Sequence, residues 1–213
     1  MMEQNESLIF GEKELQVLLA GMGFSQVYGL FSEQVTQREE ILQTMVALVR
    51  KKHLKAQDDG LHLDTQLREL LQDIGTAEKL LLITAPGQQY CCYCGEQPII
   101  CQPVRYSPGM LRLTRMSAKA LLEELDADEV LPEDTEQTGE LTEELLWEDN
   151  AQELLRAELR SGEQTVLTAA VRDSVVRERE IYIEWQDGNH QLLPYSRELF
   201  AVQLTQLLTG EFS

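Results

Sequence analysis

Apolar positions recur along this chain in two rhythms, one helical and one of strands, and the switches between them outline the elements. Ser7-Leu-Ile-Phe is a short run of strand character, and Glu12 to Ala20 then carries Leu15, Leu18 and Leu19, with Met22 beyond, at helical spacing. Gly21 and Gly23 end that helix. A longer amphipathic helix is predicted from about Thr36 to Lys52, with Thr36 as its N-cap and Ile41, Leu42, Met45, Leu48 and Val49 on its inner face. A hairpin turning at Asp59-Gly60 follows, and Asp64 caps a helix that carries Leu67, Leu70, Leu71 and Ile74. Helix, small hairpin, helix is a winged-helix-like order.

From Lys79 the period becomes two. Strands are predicted over Leu80 to Thr84, Gln89 to Cys94, Pro98 to Val104 and Met110 to Met116, joined by turns with Pro or Gly, and Ser117 then caps a helix through Leu125. Composition shifts abruptly here: from Glu123 to Glu153 there are 14 acids in 31 residues and no Lys or Arg. The stretch from Glu129 to Glu140 reads as a solvated, mobile linker, because concentrated like charge leaves too little apolar surface to offset the entropy of ordering. A helix is expected to resume near Leu141, with Leu145, Leu146 and Trp147 facing inward. Beyond it, Leu154 to Leu159 reads as a helix ended by Gly162, Val166 to Val171 and Val175 to Trp185 as strands, and His190 to Leu193 leads through Ser196 into a final helix.

The two ends of this second part match. Leu111 to Met116 runs into Ser117 and an apolar helix, and Gln191 to Tyr195 runs into Ser196 and another. A diverged internal duplication accounts for this, in which two halves each bury a sheet face against helices. The expected fold is α+β: a quasi-two-fold pair of antiparallel-sheet/helix halves with a winged-helix-like N-terminal segment. The N-terminal half spans 1–125, the acidic linker and helix start 126–150, and the C-terminal half 151–213, all within one compact domain.

Charge and composition narrow the function. With 43% apolar and 26% charged residues the chain suits a globular fold and not a disordered or fibrous one. Its net charge is −19, of which the acidic segment supplies −14. Such a balance repels phosphate backbones and anionic lipid, so neither nucleic acid nor membrane is the expected partner. No apolar run approaches the ~20 residues needed to cross a bilayer, no secretory signal is evident, and four cysteines are too few for a disulfide scaffold, so a reducing cytoplasmic location is expected.

Candidate chemistry is sparse. Cys91, Cys92, Cys94 and Cys101 contain a Cys-x-x-Cys-Gly step, but strand alternation sends Cys91 to one side and Cys92 and Cys94 to the other, which splits the Cys91/Cys94 pair, so a metal-free hairpin is expected. No nucleophile elbow, phosphate loop, His-Glu-x-x-His pair or dinucleotide fingerprint is present. His53, His62 and His190 fall in or beside turns, so neither a catalytic residue nor a cofactor is assigned and a non-enzymatic role is expected. Arg50, Lys51, Lys52 and Lys55 sit where a winged helix would meet DNA, which defines an alternative reading as a transcriptional regulator with a C-terminal sensing half. On the last helix Phe200, Leu204, Leu207 and Leu208 suffice for core packing, and Leu199 and Val202 fall on another side, making them the candidate contacts for a partner protein.

The order of these features resembles a family. The Leu-Ile-Phe-Gly-Glu-Lys-Glu-Leu start, the helix end from Leu48 to Leu54 with its Asp-Asp-Gly hairpin, Asp64 to Leu71 before the strand Leu80 to Thr84, and the repeated sheet-and-helix halves look like the EspG-type chaperones of type VII secretion. The resemblance spans nearly the whole chain and rests on element order and apolar pattern. The acidic linker and the Cys-rich hairpin depart from it. It implies a quasi-two-fold α/β fold, no catalysis, and cytosolic binding of a helical secretion substrate before export; no contact residue is carried over from it.

Overall fold

The computed structural model describes residues 7–24, 28–29, 37–58, 60–95, 97–134, 152–173 and 179–209. In chain order its elements are β1 (Ser7–Gly11), α1 (Glu12–Gly21), α2 (Arg38–Arg50), β2 (Leu54–Gln57), β3 (Gly60–Leu63), α3 (Thr65–Thr76), β4 (Leu80–Ala85), β5 (Gln88–Tyr93), β6 (Ile99–Pro103), β7 (Met110–Arg115), α4 (Ala118–Ala127), β8 (Gln152–Ser161), β9 (Gln164–Asp173), β10 (Arg179–Trp185), β11 (His190–Pro194) and α5 (Arg197–Thr209). The α+β class expected from the sequence is found. Nine of the strands form one antiparallel sheet in the order β1-β7-β6-β5-β4-β8-β9-β10-β11, and β2 pairs with β3 in a separate hairpin.

Period-two alternation sorts the sheet's side chains between two cores. Leu81, Ile83, Tyr90, Cys92 and Ile100 point to one face, where Leu121 and Leu125 of α4 and Phe200, Leu204 and Leu207 of α5 meet them. Their neighbours Leu80, Cys91, Tyr93, Ile99 and Cys101 point to the other, beneath α1, α3 and Leu48 of α2. Leu121 and Leu125 are fully buried, and each such side chain contributes about 1.5–3 kcal/mol by leaving water. Strands β8 to β10 join the first core through Leu155, Ala157, Leu159, Leu167, Ala169, Val171, Ile181 and Ile183.

Helix starts follow the sequence. Asp64 Oδ1 accepts from the Gln66 amide at 3.1 Å, Ser117 Oγ from Ala120 at 3.3 Å, and Ser196 Oγ from Leu199 at 3.1 Å, each satisfying a donor that the helix leaves open. Thr36 lies outside the described residues, and the helix expected from it runs from Arg38 with Gln37 at its N-cap position.

Three expectations are corrected. Leu154 to Leu159 is not a helix but the middle of β8, paired on one side with β4 (Leu81↔Leu159, Ile83↔Ala157) and on the other with β9. Leu, Ala, Glu and Arg favour helices in isolation, but Leu155, Ala157 and Leu159 also alternate, and two flanking strands satisfy the ladder on both sides. Gly162 accordingly turns a hairpin at φ +61°. The linker is corrected where described. Helix α4 continues to Ala127, Val130 and Leu131 are buried, and Tyr195 Oη and Arg197 Nε both donate to the Pro132 carbonyl, at 2.8 and 2.9 Å. Two apolar residues in the core and these donors hold 129–134 despite its charge; the remainder of the stretch, 135–140, and the helix expected near Leu141 lie outside the described residues. Finally, of the inner face expected on α2 only Leu48 is fully buried, whereas Leu42 is 54% exposed. Among the described residues no helix is long and apolar enough to cross a membrane.

Candidate functional site

Helix α5 is placed by its first turn. The Arg197 guanidinium donates to the carbonyls of Pro132 and Leu131 and to Asp126 Oδ1 (2.9, 3.2 and 2.7 Å), and its backbone amide donates to Asp134 Oδ1 at 2.7 Å. One residue thus joins the start of α5 to the chain leaving α4, and an isolated arginine in sequence carried no sign of this. The hydroxyl of neighbouring Tyr195 is pushed up to about 12, chiefly by burial. With α5 so fixed, Phe200, Leu204, Leu207 and Leu208 face inward as the sequence predicts. The candidate pair on its other side separates. Leu199 is half-buried against the same core, whereas Val202 is 48% exposed.

The basic cluster is built largely as a helix stop. Lys52 takes a left-handed conformation at φ 65°, and the amides of Lys52 and His53 donate back to Val49 and Leu48 at 3.0 Å each. This is the paired-bond end of a helix, normally closed by glycine. Lys51 is drawn inward, its Nζ 2.7 Å from Glu14 Oε1, and Lys55 lies 3.9 Å from Asp64. Arg50 and Lys52 are exposed. Two of the four cations of the proposed DNA contact are therefore shared with acids of the chain. His53 packs against Phe10 with ring centroids 4.7 Å apart and the ring planes tilted by 47°. Burial lowers its pKa, Glu14 opposes that shift, and Lys51 adds to it.

The cysteine hairpin follows the expected alternation. Cys91 and Cys101 are direct cross-strand partners on the α1/α3 face, Cys92 faces α4 and α5, and Cys94 packs at the margin of that same core. All four are free thiols. Burial pushes Cys91 up to about 12 and Cys94 to about 11, so neither holds a thiolate nucleophile at neutral pH. An open cleft of about 710 Å³ at the ends of α3 and α5 is lined by Lys79, Tyr93, Cys94 and the Asp73–Arg115 pair, whose atoms are 2.6 Å apart. Among the described residues no group of three His, Cys, Asp or Glu is arranged to hold a metal ion.

The face of β8 to β10 turned away from α4 and α5 is polar. Arg156 binds Glu153 and Glu158, at 2.7 and 3.3 Å, and Arg160 binds Glu158 at 2.5 Å. Arg172 lies over the Tyr182 ring at 4.0 Å and 3.5 Å from buried Glu180, whose pKa burial raises against the opposing pull of Arg172.

Among the described residues, one pair of neighbouring aliphatic side chains faces solvent and was legible only in part. Leu42 and Val46, one turn apart on α2, are 54% and 51% exposed. The sequence pattern places Leu42 on the inner face and does not distinguish Val46, because five aliphatic residues on a short helix leave the direction of burial open.

No protein-family model matches the chain, and no curated protein matches it.

Proposed function

We propose that the protein is a non-catalytic adaptor, a cytoplasmic chaperone that holds a helical protein partner. The observation that carries this reading is Val202: α5 has its inward face filled by Phe200, Leu204, Leu207 and Leu208 and still presents a half-exposed valine on a well-anchored helix. A helix fixed at its start that presents an exposed aliphatic side chain offers a rigid point of contact to another helix. The quasi-two-fold character belongs to the same proposal. The meanders β4 to β7 and β8 to β11 each end in a Ser-capped helix, and their first strands pair antiparallel at the sheet centre, which is the relation that an internal two-fold would produce. The resemblance to EspG-type chaperones supplies the partner class, a small helical secretion substrate.

A photo-crosslinking residue at position 202, used in native lysate, tests it. The expected result is an adduct with a small helical protein, competed by that protein when purified, and loss of capture in Val202→Glu with an unchanged melt. Because Leu199 is half-buried, the single substitution separates binding from folding better than changing both residues. Failure to form an adduct, or undiminished capture by Val202→Glu, would overturn the reading. The regulator reading makes the opposite forecast: neutralising Arg50 and Lys52 would abolish duplex binding and leave protein capture untouched.

A further inference from the structure

Helix α2 divides its side chains into two sets. Toward α1 it turns Thr44 and Leu48, both buried, together with Glu40, which pairs with Lys13; Lys51, just past its end, pairs with Glu14. Away from α1 it presents Glu39, Leu42, Val46 and Arg50, which recur at i, i+3, i+7 and i+11 and so form one stripe. All four are exposed, and Ile41, Met45 and Val49 flank the stripe half-buried. The stripe has an acid at its N-terminal end, an arginine at its C-terminal end and two aliphatic side chains between.

That arrangement is self-complementary. The midpoint of Glu39 and Arg50 lies between residues 44 and 45, and the midpoint of Leu42 and Val46 lies at 44. A two-fold axis at that point, with two α2 helices antiparallel, sets Glu39 against Arg50 of the second copy, twice. It sets Leu42 against Val46 of the second copy, also twice, and opposes the two helix dipoles. We infer that the exposed face of α2 is a homodimer interface, occupied by α2 of a second copy of this chain in antiparallel register. A foreign helix would need the same acid–aliphatic–arginine order in reverse; a second copy has it by construction.

The interface is small. Thirteen residues make a helix about 20 Å long, and one such pair buries less than the roughly 1,200 Å² of a standard stable interface. The dimer is therefore reversible, with a dissociation constant on the order of micromolar to tens of micromolar and not nanomolar. It uses a different surface from Val202, so the two proposals stand or fall separately.

Sedimentation velocity of the full chain, from about one micromolar to several hundred micromolar, provides the test. Wild type is expected to pass from monomer to dimer over that range. Val46→Glu should weaken association at least about tenfold, because it places two carboxylates near one axis, and its melt should stay unchanged since the site faces water. Glu39→Arg and Arg50→Glu should each weaken the dimer, and the double reversal should restore it, since exchanging both signs recreates both pairs. A chain that stays monomeric throughout overturns the inference. So does a dimer indifferent to Val46→Glu, or single reversals that the double variant fails to rescue.

Discussion

Glu14 joins three parts of the N-terminal layer, and its removal can be worked through quantitatively. At the third position of α1 its Oε2 accepts from the Gly11 amide at 2.9 Å, closing a donor at the helix start, while Lys51 Nζ approaches its two oxygens at 2.7 and 2.8 Å from the end of α2. The carboxylate side chain is 10% exposed and the lysine 43%. Glu14→Ala loses the helix-start bond, worth about 1 kcal/mol, and leaves a part-buried N–H poorly satisfied for about another 1 kcal/mol. Solvent screening of the half-exposed lysine limits the ion pair to about 0.5–1 kcal/mol. The sum is about 2.5–3 kcal/mol. Glu14→Gln keeps an acceptor for Gly11 and loses only the charge, so about 1 kcal/mol is expected, and Lys51→Met should cost about 0.5–1 kcal/mol. Urea unfolding followed by circular dichroism reads these as shifts in midpoint at constant slope. Because Glu14 and Lys51 share one interaction, the double variant should be less destabilised than the two singles added together. A loss below about 0.5 kcal/mol for Glu14→Ala would refute the account of how α1 and α2 are joined.

Two further outcomes concern the same corner. Lys52→Gly should stabilise the fold by about 0.5–1 kcal/mol, since glycine takes the left-handed conformation that lysine adopts at φ 65° without a Cβ penalty; a lower urea midpoint would contradict this. Burial beside Phe10 holds the pKa of folded His53 below its ordinary 6.5, so the unfolded chain takes up this proton more readily. Stability from this group is therefore present above pH 6.5 and lost as pH falls from there through the lower folded value. His53→Gln should flatten the melting temperature across that window. Unchanged slopes in the two proteins would show that His53 is not responsible.

Local signals in the sequence determined a large part of the molecule. Alternation decided that Cys91 and Cys92 go to different cores, and Asp64, Ser117 and Ser196 marked helix starts because each offers an oxygen to an unpaired amide. The hairpin before Asp64 was legible from Asp59-Gly60, since glycine admits the turn. Tertiary structure decided the rest. Leu154 to Leu159 fits a helix or a strand by composition, and only the flanking β4 and β9 make the strand the state with satisfied backbone bonds. Residues 129–134 carry a linker's charge, but Val130 and Leu131 found room under the helices and Arg197 and Tyr195 found the Pro132 carbonyl, none of which is local information. On α2 the arc of aliphatic residues is wider than the face α1 can cover, so which part remains in water, and with it the exposed stripe from Glu39 to Arg50, is set by where α1 packs. Leu199 and Val202 look alike in sequence for the same reason: a pattern gives a residue's side of a helix, and only the neighbouring core says how far that side is covered.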